Sequence, residues 1–526
     1  MKVLITTSGT GSRLGELTKS MNKALVRIGK KPAIAHIIDS YPKDTQFVIT
    51  VGYLKDQIKD FISLAYPDLK VEYAEVKNFD GPGSSLGLSM LDAKELLQCP
   101  FIFHACDTLV EGTMPEVEKN WIGVYKGGDT THYASWLLRD GKLIFSEKGA
   151  KEADLIHIGL IGVKDYEIFW NTLQELYDSN PNNKTLNDCQ TLEKMIEKGV
   201  KMELSEFKFW YDIGNMDALQ KTRLEYGSSL DDLDKLGEAI YIFDDFVIKF
   251  FSDDKVVKNR AERGKTLEGF VPPIEGVVGN FYRYKFISGE LYSHVVQIND
   301  FKKFLGMIQN TFWKDENEVS ETEFTNICRS FYLDKTQKRI KQFLDANNLK
   351  DAEHVINGES IPTIEELLKM VDFDRLSKGW QSRFHGDFIL ENIIRTENGY
   401  CLIDWRQDFG GLLKGGDRYY DLAKMNHNLT VNHSVINRNL FKVEVEGNKV
   451  QVEIMRPSIL VECQTTLFDF IRVFKYDTRK VRMLTAIIWL NMAPLHHYPF
   501  NHFLYYFGKL HLWQALRQND VARKLW

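Results

Sequence analysis

Cysteine is scarce in this chain: six residues in 526, at Cys99, Cys106, Cys189, Cys328, Cys401 and Cys463. Scattered singly, they fit neither a zinc site nor a disulfide framework and read as reduced packing residues. Excess positive charge is also lacking. The formal net charge is −6, and no Lys/Arg run forms a stripe for a phosphate backbone, so no nucleic-acid partner is expected. No apolar run reaches the ~18 residues that span a bilayer. The most hydrophobic stretch, "MLTAIIWLNMAPLHHYPF", is broken by Asn491, Pro494 and two histidines and reads as a buried helix with the loop after it. The opening "MKVLITTSG" runs straight into an expected strand, with no apolar segment behind a basic end. A soluble, cytoplasmic protein without membrane insertion is expected. Internal repeats and low-complexity tracts are absent too.

What is present is an ordinary globular composition, 44% hydrophobic and 27% charged, in a chain too long for one core. Up to residue 226, near-continuous apolar runs ("KVLITT", "FVITVG", "FIFHAC") alternate with amphipathic stretches such as "LKDQIKDFISLAY". That is the pattern of strands buried on both faces of a parallel sheet, and it predicts a doubly wound, Rossmann-like α/β domain over 1–226. A Gly/Ser/Asp-rich linker is placed at 227–237. From 238 to 526 a second domain of α+β character is expected, a small lobe with β-structure and a larger helical lobe. Its first element, "AIYIFDDFVIKFF", reads as a hairpin turned at Asp244-Asp245.

The stretch "SGTGSRL" (8–14) follows the first expected strand. Glycines at 9 and 11 let backbone N–H groups approach a phosphate closely. By itself this is a tight turn, and it lacks the Gly-Lys-Ser/Thr ending of a P-loop. Its company raises it: Arg13 in the loop, Lys23 ten residues on, Asp107 at the end of a strand, Lys148 in "SEKG", Gly159 in "HIGLIGV" and Asp212 in "FWYDIGNMDAL". Loops at strand C-termini are where an open α/β sheet places its ligands.

This ordered set resembles the nucleotidyltransferases that make NDP-sugars and CDP-choline, and the resemblance covers essentially all of 1–226. It implies that Gly9, Gly11, Ser12 and Arg13 hold the triphosphate of an NTP (CTP, UTP or GTP). It implies that Lys23 contacts the phosphates, that Asp107 and Asp212 hold Mg²⁺, and that Lys148 binds the acceptor's phosphate. Cations there suit a reaction between two anions. The chain departs from the family at Asn22, where a proline is usual. "VGYLKDQI" resembles the choline-phosphate branch and "WYDIGNMDAL" the sugar branch, so base and acceptor stay open.

A second phosphate-handling signature lies at 384–405, "FHGDFILENIIRTENGYCLIDW". His385, Asp387 and Asn392 have the spacing of a kinase catalytic loop, in which the aspartate accepts the proton of the attacking hydroxyl and the asparagine reaches Mg²⁺. Asp404, twelve residues past Asn392 and after a strand-like run, occupies the place of the second metal-binding aspartate. Upstream, Lys249 lies on an expected strand, and a helix supplies Glu262, or else Glu268, to pair with it. These features resemble aminoglycoside phosphotransferases and choline kinases, a protein-kinase-like two-lobed fold, from about 238 to 430. The resemblance implies ATP and Mg²⁺, with Lys249 and Glu262 at the nucleotide. Asp417 and Asp421, in "GDRYYDLAKM", are expected to fix the loop. The aromatic residues of the helical tail read as core packing in preference to a cation–π cage, and Arg406 disfavours a cationic acceptor.

Together the two sites predict a bifunctional enzyme. A small alcohol, a sugar or polyol, is phosphorylated with ATP, and the phosphomonoester is then coupled to an NTP with release of pyrophosphate. The product would be an activated precursor of a surface polysaccharide, capsule or lipid head group. The alternatives are a choline or ethanolamine kinase joined to a CTP:phosphocholine cytidylyltransferase, and a chain in which one domain only senses nucleotide. The expected partners are the alcohol and its phosphomonoester; a homo-oligomer stays open.

Overall fold

A computed structural model of the protein describes residues 1–127, 132–139, 142–146, 155–227 and 236–517. They fall into two compact units, Met1–Val257 with Glu275–Phe286, and Lys258–Ile274 with Ile287 onward. Much of the expected linker, 228–235, lies outside the described residues. No described helix is long and apolar enough to cross a membrane.

The first unit is built on a mixed sheet. Its parallel centre runs in the order Phe101–Ala105, Lys2–Thr6, Gln46–Val51, Val71–Glu75, and Leu155–Val163 joins antiparallel beside Phe101–Ala105. Alternate side chains of one strand leave on opposite faces. Val3 and Ile5 therefore enter one core with Ile49 and Ile102, whereas Leu4 enters the other with Val48 and Phe103. Each face is covered by helices. Ile58, Phe61 and Ile62 of Lys55–Ala65 pack on the first, and Phe169, Trp170 and Leu173 of Tyr166–Ser179 on the second, at helical spacing. This is the doubly wound arrangement expected from the apolar runs.

The hairpin at Asp244-Asp245 is present. Glu238–Ile242 pairs antiparallel with Phe246–Phe251, which pairs with Phe281–Lys285, in a sheet completed by Ile274–Val278. This small sheet shares the core of the first unit. Phe61 packs edge-on against Tyr241 and tilted against Phe281, and the Tyr241 hydroxyl donates to the Leu25 carbonyl at 2.6 Å. The Ile242 N–H donates to the Lys30 carbonyl at 2.8 Å.

The second unit is mainly helical. Arg418–Thr430, Thr478–Met492 and Phe500–Arg517 enclose a core containing Trp489, Phe503, Tyr505 and Tyr506. The tail aromatics are thus packing residues, as expected; Tyr498, fully on the surface, is the exception. The strands Phe441–Glu446 and Lys449–Ile454 extend a sheet with His354–Ile356 and Glu359–Ile361.

Candidate functional site

In the first unit the loop after Lys2–Thr6 leads through Gly9 and Gly11 into a 3₁₀ turn, Ser12–Thr18. Gly11 has φ +67°, and a Cβ there would lie 3.0 Å from the Lys23 Cβ, so both backbone conformation and space call for glycine. Gly9, Ser12 and Arg13 are exposed. Lys23 is brought to the loop by Asn22, the position at which the sequence departs from the expected proline. Its side chain donates to the carbonyls of Thr7 (3.1 Å) and Tyr53 (2.8 Å) and accepts from Ala24 N–H (2.9 Å), while its own N–H donates to Gln57 Oε1 at 2.9 Å. Asn22 is fully buried. Nothing in its local sequence marks this clamp, because its partners come from three other segments.

Asp107 and Asp212 come together through β pairing. Thr108–Val110 runs antiparallel to Trp210–Asp212 with Thr108 opposite Asp212, and the Ile213 N–H donates to the Asp107 carbonyl at 3.1 Å. The Asp107 carboxylate accepts from Lys23 Nζ at 2.5 Å and has Arg13 Nη2 at 3.8 Å. Asp212 accepts from the Tyr133 hydroxyl at 3.0 Å and the Gly214 N–H at 2.8 Å. A Cβ on Gly214 would touch both acids, 3.0 Å from Asp212 Oδ1 and 3.3 Å from Asp107 Oδ2, with Arg13 Nη2 also at 3.3 Å. Burial opposes ionisation of Asp107, but the Lys23 ammonium together with Arg13 holds the carboxyl below its ordinary range. Asp212 is pushed up, by burial first and then by the Asp107 carboxylate. Two converging carboxylates, one of them reluctant to ionise, fit a hard divalent cation held by oxygen ligands.

Gly159, with φ +69°, lets Leu155–Val163 approach Ala105, whose Cβ would lie 2.9 Å from an added Cβ. Its role is in packing beneath the site. Lys148 lies outside the described residues. Among the described residues one group of three metal-type ligands occurs elsewhere, His157, Asp188 and Cys189. There His157 Nδ1 accepts from Trp136 Nε1 at 3.2 Å, so Nε2 carries the proton and donates to Asp188 at 2.7 Å. Neither ring nitrogen retains a lone pair for a metal.

In the second unit His385 is buried and neutral, its pKa lowered by burial to about 4. It donates from Nε2 to the Ile403 carbonyl at 2.9 Å and accepts the Asp387 N–H at Nδ1, 3.2 Å. The ring therefore ties the loop to the segment carrying Asp404. Asp421 accepts the His385 and Gly386 N–H groups at 2.8 and 2.7 Å and Trp313 Nε1 at 3.2 Å; Asp417 accepts Trp380 N–H at 2.9 Å and the Tyr332 hydroxyl at 2.7 Å. Both acids hold backbone in place. Asn392 Nδ2 donates to the Asp387 carbonyl (2.9 Å) and to Oδ2 (3.1 Å), which leaves its amide oxygen as the atom suited to a cation. Asp404, with φ +58°, has Arg260 Nη1 3.3 Å from Oδ1.

Sequence reasoning missed three basic residues here. Lys424 Nζ lies 2.7 Å from Asp387 Oδ1. Arg263, fully buried, donates to the carbonyls of Phe384 (2.5 Å), Leu413 (3.1 Å) and Arg406, and Arg260 takes Asp404. Glu262, on the same helix (Asp254–Thr266), is exposed and accepts from Lys265 at 2.9 Å, and Glu268 is exposed as well. In the first unit, Lys249 is buried on Phe246–Phe251, opposite Ile240 and Tyr282.

No family model matches the chain. The bifunctional protein GlmU of Methanococcus maripaludis is 29% identical over 224 residues, 41% of this chain and 52% of the relative. The choline-phosphate cytidylyltransferase of Streptococcus pneumoniae is 36% identical over 84 residues, 15% of this chain and 36% of the relative. A solved structure of CTP:phosphocholine cytidylyltransferase from Streptococcus pneumoniae is 20% identical, with 43% of this chain and 98% of that one covered, at a TM-score of 0.37. The chain spans about half the length of the GlmU relatives, 52%. Its N-terminal part, about 40% of the chain, resembles nucleotidyltransferases, GlmU and choline-phosphate cytidylyltransferase among them.

Proposed function

We propose that the chain is a bifunctional enzyme that phosphorylates a small alcohol with ATP and then transfers a nucleotidyl group from an NTP to the resulting phosphomonoester. The observation that carries the first activity is Asp387, accessible at its carboxylate yet fixed by Asn392 and Lys424. It would orient the acceptor hydroxyl and take its proton as phosphate leaves ATP. The second activity rests on Lys23, Asp107 and Asp212 gathered at the carboxyl end of the central strands, where such sheets bind ligands. Lys23 and Arg13 would offset the negative charge as the phosphomonoester approaches the α-phosphate. Asp107 with Asp212, and Asn392 with Asp404, are the residues that would hold Mg²⁺; bound there, it would neutralise phosphate oxygens as charge shifts.

Consecutive reactions give the fusion a chemical reason, since the kinase product carries the group that the nucleotidyltransferase needs. A sugar or polyol acceptor, and an activated surface-polysaccharide or lipid precursor as the product, complete the reading. Phosphorus NMR tests it. Wild type, Asp387→Asn and Asp107→Ala are each incubated with Mg²⁺, ATP, CTP, UTP, GTP and free or phosphorylated alcohols. The expected result is a diphosphate diester from free alcohol only in wild type, with Asp387→Asn still converting supplied phosphomonoester. Loss of both activities in either folded variant would sink the two-site reading.

A further inference from the structure

A cavity of about 200 Å³ in the second unit is lined by Lys424, the ion-pair partner of Asp387. Its volume is below the roughly 300–1,000 Å³ of sites for drug-sized ligands, so an aminoglycoside would not fit while a compound of a few carbons would. Its wall is built by a helical segment with an interruption: Glu321–Arg329 continues through a π-helical turn, Ser330–Asp334, into Lys335–Ala346. The wider turn carries Phe331 into the wall and sets Lys335 and Arg339 behind it, a common use of such turns. Lys335 Nζ lies 4.2 Å and Arg406 Cζ 5.1 Å from the Phe331 ring centroid.

The lining is one-sided in charge. Lys335, Arg339, Arg406 and Lys424 all line the cavity, and no Asp or Glu does. Lys424 is matched by Asp387, but Lys335, Arg339 and Arg406 form no ion pair among the described residues. Burial and the three neighbouring cations push Lys335 down to about 7. The cavity wall also includes Asn491, whose amide nitrogen is spent on Thr336 Oγ1 at 2.8 Å and the Ile487 carbonyl at 2.9 Å. Its Oδ1 is buried without a partner, and the residue adds no charge to the wall. Surplus cations are the complement of an anion.

Building on the kinase reading above, we propose that the acceptor alcohol already carries an anionic group, a carboxylate or a phosphate, bound by Lys335, Arg339 and Arg406 while its reacting hydroxyl lies at Asp387. In the step, the hydroxyl oxygen bonds to the γ-phosphorus of ATP and the bond from that phosphorus to the bridging oxygen breaks. ADP leaves with the electron pair, and the hydroxyl proton passes to the Asp387 carboxylate. A quaternary ammonium or amino alcohol would meet like charge throughout.

The full chain with Mg²⁺ and ATP is assayed for acceptor-dependent ADP release against four classes of probe: sugar acids of three to six carbons, phosphorylated polyols, neutral polyols, and amino alcohols including choline. Turnover with one of the anionic classes, at least about tenfold above the others in kcat/KM, is expected, and which class turns over separates carboxylate from phosphate. Lys335→Gln and Arg339→Gln should each raise KM for that acceptor about tenfold or more and leave KM for ATP unchanged. Preference for neutral or amino alcohols, or an unchanged acceptor KM in both variants, would overturn the inference while leaving the kinase reading intact. ADP release that no class stimulates would overturn the kinase reading, and this inference with it.

Discussion

The Lys424 ammonium sits 2.7 Å from Asp387 Oδ1, thirty-seven residues away in sequence and on a different element. Burial favours the protonated acid, but Lys424 outweighs it, with help from His385 and Arg406, and Asp387 titrates far below the ordinary carboxylate range. The acid is therefore ionised at every working pH, and Lys424 also lines the neighbouring cavity. One lysine touches both the Asp387 carboxylate and the cavity proposed for the acceptor.

Lys424→Met should expose an acidic limb in the kinase pH–rate profile. With the counter-charge gone, the Asp387 pKa should rise, while Arg406 and the Asn392 amide still favour the ionised form. The sign for stability follows. In wild type the folded pKa lies below the unfolded value of about 3.9, so the pair stabilises the fold above that value and loses its contribution as pH falls. In the variant the two values lie closer together, so stability should fall less steeply on acidification than in wild type. Kinase rates and thermal unfolding from pH 4 to 8 check both; an unchanged rate profile would remove Lys424 from the account.

Lys23→Met should act in the same direction at the other site. Asp107 loses the ammonium that holds its pKa down, and it then faces Asp212, already pushed up by burial and by Asp107. Nucleotidyl transfer should fall by about a hundredfold or more. The loss of stability, about 1–3 kcal/mol, should be largest at neutral pH, where both acids are ionised, and shrink as pH drops. Added Mg²⁺ should recover part of the unfolding temperature if the two acids share a cation.

Much of this was legible before any coordinates. Runs such as "KVLITT" and "FVITVG" are nearly continuous in apolar residues, as a strand buried on both faces requires, and they form the centre of the sheet. His385, Asp387 and Asn392 were legible because the loop's work is done within eight residues. Lys424 and Arg263 were not, because each acts across more than thirty residues of sequence through packing that no local pattern encodes. Asn22 was noticed only as a departure, since its value lies in Thr7, Tyr53 and Gln57, which the fold assembles around it. Tyr241 was legible as strand, yet the partner surface at Phe61 was not. Periodicity shows that a face is buried and is silent on what it is buried against.

Asp421→Asn isolates the loop support. Asp421 is fully buried and accepts the His385 and Gly386 N–H groups on separate oxygens; an asparagine keeps one acceptor and turns an NH₂ toward the other donor. Phosphorylation of the alcohol should fall by about tenfold to a hundredfold through misplacement of Asp387. Nucleotidyl transfer to a supplied phosphomonoester should be unaffected. Parallel assays on one preparation decide it, and an equal drop in both would point to general unfolding.

Asn22 offers the sharpest test of the first loop. Its φ of −63° is one that proline adopts without strain at that residue, so Asn22→Pro is compatible with the local backbone of Asn22. The N–H that donates to Gln57 and the amide that bridges Thr7 to Tyr53 would nonetheless be lost. Buried carbonyls left without donors cost about 1–3 kcal/mol each. Both Asn22→Pro and Asn22→Ala should therefore lower the unfolding temperature, and proline should be the milder of the two because it fixes the turn leading to Lys23. If the proline variant matched wild type in stability and in KM for the NTP, the clamp would be dispensable. Lys23 would then owe its position to Asp107 alone.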